Sequence, residues 1–389
     1  MTETAEATTD PATFSPSDVE PRIFEILEDK KVRRLTGPYS ARTNEQARSA
    51  LERLIAQDGG QVTALNRMSG GASKEQFLFR RRAGDDEEQL VLRLDPLEGI
   101  IETCRYREAE ILRAMRGTVP VPEVRYFDGD GELLGQPGIV TSFVTGVAKP
   151  PEATAAVSGL RTAFSSEWRA RLAPQFVDNL VKIHEFDYRN ADLPHYSIPD
   201  AHPHQPALWQ VNWWAKVWQD DAVDAFPILS LVENWLRRNL PECDDPVFLH
   251  GDYRTGNYLF DKDSGEITAI LDWELAHIGD FHEDIAWNFQ PVFGERDNEG
   301  IMCYSGLFRR EELLEAYEKA SGRTIDQKKL LFYDVLNGWK GAIIDLTSCL
   351  TSARDGNNHQ DILLSWLAGS AHIHLAHISK LIAGAIKDA

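Results

Sequence analysis

Cysteine is scarce. Cys104, Cys243, Cys303 and Cys349 are the four present in 389 residues, far apart and without a C-x-x-C pair. That spacing excludes the usual zinc sites and a disulfide framework, so idle thiols in a reducing compartment are expected. Basic residues are in deficit: 41 Lys and Arg against 61 Asp and Glu leave a formal charge of -20. Nucleic-acid binders draw their affinity from neutralising phosphates, so that class is excluded. No apolar run reaches membrane-spanning length. The start, "MTETAEATTDPATFSPSD", lacks the basic residues and apolar core of a secretory signal. A cytoplasmic protein with no membrane partner is the expectation. Neither G-x-x-x-x-G-K-[ST] nor G-x-G-x-x-G occurs, which removes the P-loop and Rossmann nucleotide enzymes. No internal repeat is visible.

What is present is ordinary globular material, 42% hydrophobic and 26% charged, in a chain long enough for two lobes with a core each. Residues 1–20, rich in Thr, Ala, Pro, Ser and acids, bury too little apolar surface to repay ordering and are expected as a loose arm. From Val62 onward the pattern predicts a strand, a Gly-bearing turn, a strand over Gln76 to Arg80, a polar turn at Ala83 to Glu88 and a strand over Leu90 to Leu94. A helix follows in "IIETCRYREAEILRAM". At about 100° per residue its Ile101, Glu108, Ile111, Leu112 and Met115 share one face, which places Glu108 on the buried side, with Glu102 and Glu110 pointing away. Further short strands run to Val144, and the remainder is mostly helical.

Inside that helical part lies "FLHGDYRTGNYLF", followed by "DKDSGE" and "ITAILDWE". Two apolar strands around an acidic, Gly-bearing turn read as a hairpin. Such a hairpin brings Asn257 at its start near Asp272 at its end, with Asp252 just ahead of the first strand. Two carboxylates and an amide oxygen are hard ligands of the kind Mg²⁺ shares with water and phosphate.

H-G-D-x-x-x-x-N, a hairpin and D-W-E together resemble the catalytic and metal loops of the protein-kinase-like fold, and H-G-D is similar to the aminoglycoside phosphotransferase and choline kinase-like family of small-molecule kinases. The resemblance runs from about residue 40 to the end. It implies an α+β, two-lobe fold: an N-lobe over residues 21–143 with an antiparallel sheet and one helix, and a mostly helical C-lobe over residues 144–389 carrying the catalytic hairpin. It also implies ATP or GTP with Mg²⁺, and a small-molecule hydroxyl as acceptor. Asp252 would orient that hydroxyl and accept its proton. Asn257 and Asp272 would hold the metal, and His250 would shape the loop. Ser69, Gly70, Gly71, Ala72 and Ser73 fall where the family's phosphate-covering loop lies. Arg93 takes the place of the strand lysine of protein kinases, a departure shared by related small-molecule kinases, and a guanidinium can grip phosphate by two bonds. Buried Glu108 is its natural partner, since a desolvated carboxylate needs a cation. The backbone of Ser142, Phe143 and Val144 would face the adenine. Asp284, in "HIGDFHEDIAW", would brace the catalytic loop.

The acceptor stays open. "QVNWWAKVW", "LVENWLRRNLP" and "LNGWKGAIIDL" resemble the family branch associated with acyl-CoA dehydrogenases, which implies a hydroxyacyl substrate, whereas the acidic balance suits an aminoglycoside. Trp209, Trp213, Trp214 and Trp218 read either as core or as a substrate wall. His195, His202 and His204 lack metal-site spacing, and His372, His374 and His377 fall on different faces of the last helix. Two other functions share parts of this pattern. A kinase-like regulator without turnover is disfavoured by the complete Asp252, Asn257 and Asp272 set. A metallophosphatase would need His after Asn257, where Tyr258 stands.

Overall fold

Alternating burial builds the first half of the chain. The computed structural model describes residues 14–68, 73–150, 160, 162–297 and 299–387. Helix α1 (Pro21–Arg33) leads to α2 (Asn44–Ile55), whose start is fixed by a reciprocal cap: Thr43 Oγ1 accepts from Gln46 N, and Gln46 Oε1 accepts from Thr43 N. Strands β1 (Gln61–Arg67), β2 (Glu75–Ala83), β3 (Asp86–Leu94), β4 (Val124–Asp128) and β5 (Gly138–Ser142) form one antiparallel sheet in the order β1-β2-β3-β5-β4, with helix α3 (Arg105–Ala114) between β3 and β4 in the chain. Leu51 and Leu54 of α2 close a small core with Phe77, Phe79, Leu90, Leu92 and Val140. The expected polar turn from Ala83 to Glu88 is shorter than predicted. Ala83 pairs with Asp86, so Gly84 and Asp85 alone turn the chain, and Glu87 and Glu88 join the ladder opposite Arg82 and Arg81. Cross-strand charge pairing favours the extended register there.

The second half is helical around short ribbons. Helices α4 (Ser166–His184), α5 (Gln205–Asp221) and α6 (Pro227–Arg238) precede β6 (Val247–Leu249), the hairpin strands β7 (Tyr258–Phe260) and β8 (Ile267–Ile270), and β9 (His277–Gly279), which pairs with β6. Next come α7 (His282–Trp287), the ribbon β10 (Gly294–Arg296) and β11 (Met302–Tyr304), and helices α8 (Arg310–Ser321), α9 (Gln327–Ile344), α10 (Leu350–Asp355), α11 (Asp361–Ala368) and α12 (Ala371–Lys387). Phe176, Trp214, Phe248, Ile285 and Trp339 lie in the larger core of this body. The stretch linking the lobes is docked onto the hairpin: Val147 and Phe260 exchange backbone hydrogen bonds at 2.9 and 3.0 Å, and Thr268 Oγ1 donates to Thr145 O at 3.0 Å.

Three expectations change. The loose arm does not extend through residue 20, because Val19 is buried in the large core and Glu20 is buried against Arg107. Helix α1 belongs by sequence position to the N-lobe, yet its Ile23, Ile26 and Leu27 enter the core of the helical body, and its Lys30 pairs with Asp221 of α5 at 2.6 Å. The amphipathic pattern announces an apolar face and not which core receives it. Glu102, expected to point away, is buried before α3 begins, where Arg33 Nη2 reaches it at 2.6 Å. Three of the four tryptophans are core: Trp209, Trp213 and Trp214 are buried, the last two stacked with centroids 5.1 Å apart, while Trp218 is half-buried.

The contact of α12 with the end of α9 should depend on pH. His374 is buried there and His372 is exposed. Asp345, next to the end of α9, accepts from Ser370 Oγ at 2.9 Å, with His374 Nε2 3.8 Å away. Burial pushes its carboxyl up to about 7, from an ordinary 3.8. An acid whose folded pKa is raised binds its proton more tightly folded than unfolded, so its stabilising effect is full below pH about 4 and is lost as pH rises to about 7. Asp345→Asn abolishes that loss. The melting temperature of the variant relative to the parent should therefore rise by a few degrees between pH about 4.5 and about 7.5. A difference that stays flat over that range would contradict this.

Candidate active site

The hairpin and the loop before it set Asn257 against Asp252 and place Asp272 one residue past the ribbon mouth. Asn257 ends the loop, and Leu271 N donates to its carbonyl at 2.7 Å, which closes the ribbon mouth. Asn257 Nδ2 donates to the backbone O and the Oδ2 of Asp252, at 2.9 and 2.6 Å. Both amide hydrogens are thereby used, which leaves Oδ1 as an acceptor. Asp272 follows β8 in the left-handed region, at φ 66° and ψ 58°. Asp tolerates that conformation better than most residues but still at some cost. From there its Oδ1 accepts from Arg93 Nη2 at 3.2 Å.

Arg93 is the hub across the lobes. On β3, it reaches Asp272 on one side and forms an ion pair with Glu108 of α3 on the other. Glu108 is buried and takes a second cation, Arg105, three residues before it on the same helix. Arg105 Nε lies 3.1 Å from Asp95, and Lys74 Nζ lies 3.3 Å from Asp95 and 3.7 Å from Glu274. Sequence reasoning found the Arg93 and Glu108 pair and missed Lys74, Asp95 and Arg105. The i,i+3 spacing of Arg105 and Glu108 was the available signal. Burial, with the nearby Asp272 charge, pushes the Glu274 carboxyl up to about 7 against the pull of Lys74, Arg93 and Arg105.

Ser73, expected to bind nucleotide, is buried with its Oγ donating to Glu274 at 3.0 Å. Ser69, Gly70, Gly71 and Ala72 lie outside the described residues. Of the three residues expected to face the adenine, Ser142 N donates to Glu123 O at 2.8 Å and Phe143 N to Gln89 O at 3.1 Å. Their N–H groups are committed to the sheet, which leaves that of Val144.

Asp284 braces the loop. Its carboxylate accepts from His250 N at 2.9 Å and Gly251 N at 2.7 Å, with His184 Nε2 at 3.2 Å. Burial alone would raise its pKa, but the hydrogen bond and charge of His184 outweigh it and hold the group below the usual carboxylate range. His250 accepts from Asp252 N on Nδ1 at 3.2 Å, so its hydrogen sits on Nε2, which faces Leu271 O at 3.0 Å. Burial pulls its pKa down and keeps the ring neutral. Both ring nitrogens hold backbone, and the side chain shapes the loop.

Gly251 sits at φ 79°, and a Cβ there would stand 2.7 Å from the Leu275 Cβ, inside any real contact distance. The middle residue of H-G-D must therefore be glycine here. Gly251→Ala should destabilise the fold by about 1–3 kcal/mol, read as a fall in the urea midpoint. An unchanged midpoint would show that the loop yields freely.

Arg107, also on α3, is buried. It donates to Glu20 Oε1 at 2.5 Å, His195 O at 2.9 Å and Ala276 O at 2.8 Å. It thus fastens α3, and with it Glu108, to the backbone just past Asp272.

The donor set fits a nucleotide with a divalent ion. Arg93 Nε is buried without a hydrogen-bond partner among the described residues, which leaves a cationic donor for phosphate. Among the described residues no group of three or more His, Cys, Asp or Glu could hold a metal by itself. Mg²⁺ commonly takes one or two carboxylates and completes its shell with phosphate and water. Asp272 with Asn257 Oδ1 meets that demand.

Comparison with known proteins bears on the family and the fold. Residues 64–330 match the model of the phosphotransferase enzyme family. Acyl-CoA dehydrogenase family member 10 of Mus musculus is 27% identical over 207 residues, covering 52% of this chain and 18% of that protein, so the chain spans under a fifth of its length. Among solved structures, a candidate aminoglycoside phosphotransferase from Ralstonia eutropha superimposes with a TM-score of 0.61 at 21% identity, over 85% of this chain and 98% of that one. An aminoglycoside phosphotransferase in a ternary complex with AMP-PNP and hygromycin B gives 0.55 at 16% identity, over 85% and 98%. The two-lobed α+β architecture is shared with both.

Proposed function

The chain belongs to the phosphotransferase enzyme family, and we propose that its chemistry is phosphoryl transfer to a small-molecule hydroxyl, with ATP and Mg²⁺ as the donor. Arg93 carries this reading. One guanidinium joins Glu108 of the sheet lobe to Asp272 of the hairpin lobe, and its Nε–H has no partner among the described residues. In the proposed roles Arg93 grips phosphate, and Glu108 holds Arg93 in place. Asn257 Oδ1 and Asp272 hold Mg²⁺, which supplies charge neutralisation on the phosphate oxygens when bound. The Val144 N–H is the hinge donor for the purine. Asp252 orients the acceptor hydroxyl and takes its proton. Positioning and electrostatics supply most of the rate in such transfers.

For the acceptor, a hydroxyacyl compound is supported by the likeness to acyl-CoA dehydrogenase family members, and an aminoglycoside by the solved structure bound to hygromycin B. The test is a panel of hydroxyacyl-CoAs, aminoglycosides, choline and sugars scored for acceptor-dependent ADP release from Mg·ATP. Stimulation by one class identifies the acceptor. Tight Mg·ATP binding with no ADP release from any member would replace this reading with a nucleotide-binding regulator.

A further inference from the structure

The Asp252 carboxylate is met from three directions. Its Oδ2 accepts Asn257 Nδ2 at 2.6 Å, and its Oδ1 accepts both Arg254 Nε at 2.8 Å and Trp287 Nε1 at 2.5 Å. A carboxylate offers about four lone-pair positions, two on each oxygen. Oδ1 is therefore full and Oδ2 keeps one.

Trp287, the last residue of α7, is buried, and its ring is fixed from two sides. Lys340 Nζ of α9 lies 4.3 Å from the ring centroid, and Phe293 packs at 5.4 Å. Lys340 is itself buried and held by Glu283 Oε1 at 3.2 Å. A cation on the face of an indole is attracted to its π density. By withdrawing that density it also makes the ring N–H a stronger donor. The Arg254 guanidinium stacks on the same Phe293 at 4.6 Å, so both donors to Oδ1 rest against one aromatic side chain.

The geometry points to Trp287, backed by Lys340, as a positioning residue that pins Oδ1 and leaves Oδ2 as the oxygen that meets the acceptor hydroxyl. This rests on the proposed role of Asp252. As the acceptor oxygen bonds to the γ-phosphorus and the bond to the departing ADP oxygen breaks, the hydroxyl proton passes to the open position of Oδ2. Delivery to Oδ1 would set a third hydrogen against two donors already there.

Trp287→Phe keeps an aromatic ring between Lys340 and Phe293 and removes the N–H together with part of the indole. With ADP release from Mg·ATP as the readout, using water or the best acceptor of the panel, kcat should fall about ten- to a hundredfold, as for loss of a hydrogen bond to a charged group. KM for ATP should hold, and the melting temperature should fall by no more than the lost packing of the smaller ring, a few degrees. Lys340→Met should lower kcat in the same direction by less. The decisive comparison is the double variant Asp252→Asn with Trp287→Phe. An indole that acts through Asp252 adds no further loss to Asp252→Asn, whereas an independent structural role multiplies the two losses. Multiplied losses, an unchanged kcat in Trp287→Phe, or a rise in KM for ATP that accounts for the whole effect would each overturn the inference while leaving Asp252 in its role. Full activity in Asp252→Asn, or a parent that releases no ADP, would remove the underlying reading instead.

Discussion

Asp252→Asn should bind ATP like the parent and turn over about 10²- to 10⁴-fold more slowly, the range typical of losing a general base. The Asn side chain cannot satisfy the same neighbours. Its oxygen can still accept from Arg254 and Trp287, but its NH₂ would then face the Asn257 NH₂, donor against donor. The variant therefore loses the proton acceptor and one of the two contacts that align Asn257, whose Nδ2 keeps the Asp252 backbone O at 2.9 Å. Calorimetric titration with ATP reads the first half of the expectation, and ADP release at saturating acceptor reads the second. Rates equal to the parent would end the assignment of Asp252.

Asp272→Ala should remove productive metal binding. The ion is asked to supply several kcal/mol of charge stabilisation to the transferring phosphoryl group, so a loss on the order of a thousandfold or more is expected. The carboxylate also draws Arg93 toward the hairpin at 3.2 Å, and without it the guanidinium keeps only Glu108 as a partner. Alanine fits the left-handed backbone poorly, so Asp272→Asn is the control: Asn accepts that conformation and lacks the charge. The measurement is the gain in melting temperature from ADP with Mg²⁺ over ADP alone. Both variants should lose that gain, and its survival in either would show that the metal is held elsewhere.

Much of the site was legible because it is written locally. Asp252, Asn257 and Asp272 fall within 21 consecutive residues whose strand alternation already dictates a ribbon, so their meeting required no knowledge of distant packing. Glu108 was legible for another reason: a carboxylate on the apolar face of a helix demands a cation, and Arg93 on the preceding strand was within reach. Lys74, Asp95 and Glu274 follow no such rule. Glu274 lies some 200 residues beyond Ser73, and that contact exists only once the lobes are assembled. Trp287 was hidden by its chemistry, since an indole near an apolar helix end reads as packing until its N–H is seen on a carboxylate. The hinge was half legible. Its position followed from the strands, but Ser142 N and Phe143 N proved to be spent within the sheet. In the fold itself, helix periodicity located α5, while only tertiary contact decided that Trp213 and Trp214 face the core.

The anchoring of Arg107 bears on how this protein can be cut for experiment. A fragment trimmed to residues 64–330 keeps Asp252, Asn257, Asp272, Arg93 and Glu108 but discards Glu20, Lys30 and Lys340. Arg107 would then carry a buried charge without its counterion, a defect of about 3–5 kcal/mol, and Asp221 would lose its 2.6 Å lysine. The span that defines kinship thus leaves out partners of Arg107, Asp221 and Glu283 that the flanking helices supply.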